Sequence, residues 1–166
     1  MSIALLTLAL VGTVAFAWST LGGYRVPGVP REVRPHFLIS LVATFLLVMA
    51  HTFIMFFLIA TGVEMKGLEN EKGWGDSFRR RTVALKARAF PVMTLVLLLL
   101  VANFILGAAA HTRLLPAVVH EGLAWLTLLV CVFALRREYE VLGQNNRLIA
   151  EAGKRRAAPG GQAPPL

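Results

Sequence analysis

The chain has 166 residues, 57% of them hydrophobic and 16% charged, with a formal net charge of +8. Soluble domains average about 45–50% apolar residues; here the excess is gathered into four blocks, which excludes an ordinary soluble domain and points to a single membrane domain over residues 1–156. The basic residues flank those blocks, so attraction to anionic lipid headgroups accounts for the charge and nucleic acid is not an expected partner.

The first block is Ile3–Thr20. Its Ala15-Phe16-Ala17 resembles a signal-peptide cleavage site, but nothing basic precedes Tyr24 and the apolar stretch is too long for a signal core. An uncleaved helix is the expectation. Gly22-Gly23-Tyr24-Arg25-Val26-Pro27-Gly28-Val29-Pro30 follows. Its prolines lack a backbone donor, so this loop should be an extended connection.

The second block, His36–Gly62, carries a polar stripe. Ser40, Thr44, His51 and Gly62 share one helix face with Leu47, Met55 and Leu58, at about 100° per residue. Next comes a charged segment with a break at Gly73-Trp74-Gly75. Asp76 or Ser77 is placed to cap a basic amphipathic helix. Its cations Arg79, Arg80, Arg81, Lys86 and Arg88 suit lipid phosphates, with the helix lying on the membrane surface or extending the third span.

The third block, Ala89–Ala110, has a small and polar seam of Asn103, Gly107 and Ala110 that suits helix packing. A short loop from His111 to Pro116 makes the third and fourth helices neighbours. The fourth block, Ala117–Leu135, holds the only acid within any block, Glu121, and presents His120, Ala124, Thr127 and Cys131 along one face. Cys131, the only cysteine, reads as a packing residue. Beyond it a helical extension is expected on the face of Leu135, Tyr139, Leu142, Ile149 and Ala150. Residues 157–166 read as a disordered tail.

Thirteen of the seventeen basic residues lie in Val63–Arg88 or after Leu135; only Arg25, Arg31, Arg34 and Arg113 fall on the other side. The positive-inside rule then puts both termini in the cytoplasm. The expected fold is all-α: an antiparallel bundle of four transmembrane helices, multi-pass in the inner (plasma) membrane. It would carry a cytoplasmic amphipathic helix and a helical C-terminal extension.

Two sets of residues suggest chemistry. His51, deep in the second block, is unsuited to lipid. It is a candidate ligand for haem b, a hydrogen-bond partner for quinone, or a proton relay, unless a hydroxyl, a carbonyl or Asn103 simply satisfies it. His36, His111, His120 and Glu121 fall near the outer membrane face and form a candidate metal site, without any standard ligand spacing. His51 lies fifteen residues below His36, about 22 Å. His120 lies only about 6 Å from the outer end of the fourth helix, so a haem held by His51 and His120 of this one chain is not expected. The functional expectation is a small auxiliary or anchor subunit partnered with other membrane subunits, with respiratory or electron-transfer complexes as the leading context. The alternatives are a small transporter or channel subunit, or a membrane enzyme with an outer-face metal site.

Overall fold

A computed structural model describes residues 1–26, 31 and 33–157. These form four helices: α1 (Ser2–Gly23), α2 (Val33–Lys72), α3 (Ser77–His111) and α4 (Ala117–Ala157). All four are long and apolar enough to cross a membrane. Most of the first loop's prolines and the tail beyond residue 157 lie outside the described residues.

Three helices run well past the apolar blocks. Charged residues end a membrane span but do not end a helix, and α2 and α3 run through Gly62 and Pro91 beside those boundaries. α2 continues from Gly62 to Lys72, and α4 from Leu135 to Ala157. α3 starts at Ser77 and passes through Pro91 without interruption. The basic segment is therefore the first third of α3, not a separate helix on a membrane surface. Its apolar neighbours turn inward: Phe78 and Leu85 are buried, as is Thr82. The three extensions form a small core of their own from Met65, Trp74, Phe78, Leu148 and Ala152.

α1 packs along α2, α3 along α4, α2 on α3 and α1 on α4, while α2 and α4 touch more sparsely. Contacts fix the levels. Ser19 bonds Ser40, a Cβ on Gly12 would lie 3.0 Å from Leu47 Cγ, and Ser2 Oγ donates to Asn146 Oδ1 at 2.7 Å. At Gly12 the two backbones approach closely, since that Cβ would also lie 3.2 Å from the Leu47 backbone nitrogen.

The buried positions follow a heptad more closely than a straight-helix stripe. On α4 they are Ala124, Thr127, Cys131, Ala134, Glu138, Val141, Asn145, Leu148 and Ala152, in alternating steps of three and four, with Leu142 beside them. This is the spacing of left-handed, knobs-into-holes packing. α2 and α3 follow it with skips, each a second consecutive step of four: at Ile54 to Leu58 and Met65 to Glu69 on α2, and at Ala89 to Met93 on α3. The tail face expected from apolar residues alone is displaced accordingly. Tyr139 is 70% exposed, and Glu138 and Asn145 are inside.

A buried carboxylate organises the turn between α2 and α3. Gly73 and Gly75 adopt φ of +65° and +76°, the left-handed region that glycine reaches without steric cost. Neither Asp76 nor Ser77 caps α3 through its side chain. Glu69, one turn before the end of α2, does so instead: its Oε1 accepts from the Phe78 N–H at 2.6 Å and from the Arg79 N–H at 3.2 Å. A carboxylate there meets both free donors and the positive end of the helix dipole. Asp76 instead accepts from Arg80 Nε at 2.8 Å, and this bond holds its exposed carboxyl below the usual carboxylate range.

Candidate functional site

His51 on α2 faces Glu138 on α4 across the centre of the bundle, with His51 Nδ1 bonded to Glu138 Oε1. The side chains are 1% and 0% exposed. One apolar cluster lies on the Ser19–Ser40 side of the pair, built from Phe16, Ala43, Leu47, Val96, Leu100, Cys131 and Ala134. A second lies on the Thr61–Asn145 side and includes Ile54, Leu58, Ala89, Met93, Val141 and Leu142. The pair is thus a polar layer between two dry ones.

The heptad explains why these residues meet. Glu138 occupies the same seam as Cys131 and Asn145, seven residues away on either side. His51 adjoins Ala50 and lies three residues before Ile54, both 0% exposed. Depth follows from α1: Ser2 meets Asn146, eight residues past Glu138, which puts Glu138 about 12 Å inside the end of α1. Two turns further on, the next polar layer is complete, with Asn145 Nδ2 donating to Thr61 Oγ1 at 3.1 Å and Thr61 Oγ1 donating to the Phe57 carbonyl at 3.0 Å.

The His51–Glu138 layer is not complete. His51 Nε2 and Glu138 Oε2 are buried and have no hydrogen-bond partner. Each such atom costs about 1–3 kcal/mol, and burying each ion costs several more. Two well-packed apolar side chains would join α2 to α4 at lower cost. The partner of His51 is thus Glu138 rather than a hydroxyl, a carbonyl or Asn103.

The other expected site residues are dispersed more widely. Among the described residues, no three His, Cys, Asp or Glu side chains gather into a group able to hold a metal ion. His111 is exposed at the end of α3, and Glu121 is half-buried beside His120. His36 and His120 turn inward, their rings beside the backbone of Ser19 and of Asn103 respectively. In the basic segment, Arg80 pairs with Asp76, and Arg81 Nη1 reaches Glu151 Oε2 on α4 at 2.7 Å. Lys86 lies over Gly62, where a Cβ would stand 3.0 Å from its Nζ. Arg79 and Arg88 stay exposed.

The chain matches no known protein family, no curated protein and no solved structure. Its chemistry has to be argued from its own side chains.

Proposed function

We propose that this protein is an antiparallel four-span bundle of the plasma membrane, both termini cytoplasmic, acting as a small auxiliary subunit of a larger membrane complex. Its working centre is the His51–Glu138 pair, which takes up and releases a proton. The observation that carries this reading is that both members are buried to 1% or less while Nε2 and Oε2 lack partners.

The proton balance is simple. Neutral His51 with its hydrogen on Nδ1, donating to ionised Glu138, gives a layer of net charge −1. Protonation of His51 at Nε2 gives an imidazolium–carboxylate pair of net charge zero. Transfer of the bridging proton to Glu138 gives a neutral tautomer of that same state. A low-dielectric surrounding favours the net-neutral forms. The nearest seam positions on α2 and α4 are Leu47, Ile54, Ala134 and Val141, which carry no charge. Intramembrane histidine–carboxylate chains are the usual material of proton relays.

The redox reading has narrower support. Glu138 on Nδ1 leaves Nε2 as the free nitrogen, the arrangement typical of a metal-ligating histidine. Yet Nε2 is fully enclosed, so a porphyrin would require the helices to part.

Infrared difference spectra between acidic and alkaline pH, recorded on protein in lipid vesicles, test the proposal. A carboxyl band that Glu138→Gln removes and His51→Gln displaces is expected. Identical difference spectra for the wild type and Glu138→Gln would refute it.

A further inference from the structure

We infer that His36, Asn103 and His120 form a cation site at the outer end of the bundle, suited to a transition-metal ion such as zinc. The inference is independent of the His51–Glu138 reading.

Three different helices bring these residues to one level. Phe37 of α2 packs on Phe104 of α3 with ring centroids 6.4 Å apart. This sets the preceding residues, His36 and Asn103, at matching height. From α4, the His120 ring lies close to the Asn103 backbone and to the His36 ring. Both imidazoles rest on glycines of neighbouring helices. A Cβ on Gly23 would stand 3.4 Å from His36 Cε1, and one on Gly107 would stand 3.0 Å from His120 Cε1. Space that a side chain would otherwise fill is given to the two rings.

The unsatisfied atoms identify the missing ligand's chemistry. His36 Nδ1, His120 Nδ1 and Asn103 Oδ1 are buried without partners. With the ring hydrogen of each on Nε2, each Nδ1 is a bare lone pair, and an amide oxygen is an acceptor as well. Three acceptors without a donor call for positive charge. Imidazole nitrogens are good ligands for zinc, copper or nickel, and an oxygen can complete the shell. The site differs from the one the sequence suggests, because His111 is exposed and Asn103 takes its place.

Equilibrium dialysis of the purified full chain against zinc tests the site. One retained zinc per chain is expected, lost in both His36→Gln and His120→Gln and kept in His111→Gln. Cobalt in place of zinc should give visible absorption bands from nitrogen ligation, lost in the same two variants. Circular dichroism checks that each variant remains folded. No retained metal would overturn the inference and leave an ordinary buried water as the occupant. So would zinc retained equally by both variants, or zinc lost only in His111→Gln, which would mark surface chelation.

Discussion

Glu69 and Glu138 are both buried glutamates, 5% and 0% exposed, yet their surroundings differ in kind. Glu69 meets two backbone N–H groups at the start of α3. Its acceptors serve a helix end that needs them. Glu138 meets one imidazole and keeps a bare oxygen in a dry core. The first arrangement holds a turn together. The second leaves a buried oxygen unpaired, at a cost to stability.

The largest expected effect breaks the core pair. His51→Leu or Glu138→Leu alone strands the other partner and should cost about 3–5 kcal/mol. Replacing both by leucine together should recover most of that loss. Unfolding in detergent measures it, and a double variant as unstable as the worse single variant would argue that the pair is structural. Glu69→Ala should cost about 1–2 kcal/mol through the lost cap. It should leave the pH-dependent infrared difference spectrum unchanged; any change there would erase the contrast between the two glutamates.

Asp76 supplies the smallest effect. It is fully exposed, so Asp76→Asn should leave the unfolding midpoint where it was. Its carboxyl is held below the ordinary value by Arg80. Any stabilisation it gives is therefore complete above the ordinary carboxylate range and lost as pH falls through the lowered value. A loss of stability in Asp76→Asn at neutral pH would show that this carboxylate, not Glu69, caps α3.

Much of this arrangement was legible in the amino-acid order. Apolar blocks mark four candidate spans, and Gly73-Trp74-Gly75 marks the turn that the structure contains. His51 stands out as a polar residue that lipid would not accept. Its partner does not, because Arg136 and Arg137 end the apolar block two residues before Glu138. Those arginines are exposed while the buried seam continues beneath them. A face chosen by apolar residues alone selects Tyr139 and passes over Glu138 and Asn145. The three-and-four step of Ala124, Thr127, Cys131 and Ala134, carried forward, reaches both. The role of Glu69 was hidden for another reason: its partners are backbone donors nine and ten residues away, a relation that side-chain pattern does not record.

The skip from Ile54 to Leu58 on α2 and the skip from Ala89 to Met93 on α3 share one level, since all four residues belong to the same apolar cluster. An added four-residue step locally unwinds a left-handed supercoil. α4 passes that level with its register unbroken. The supercoil of the α2–α3 pair is therefore relaxed at that plane, one turn from His51, while α4 keeps a continuous heptad past it.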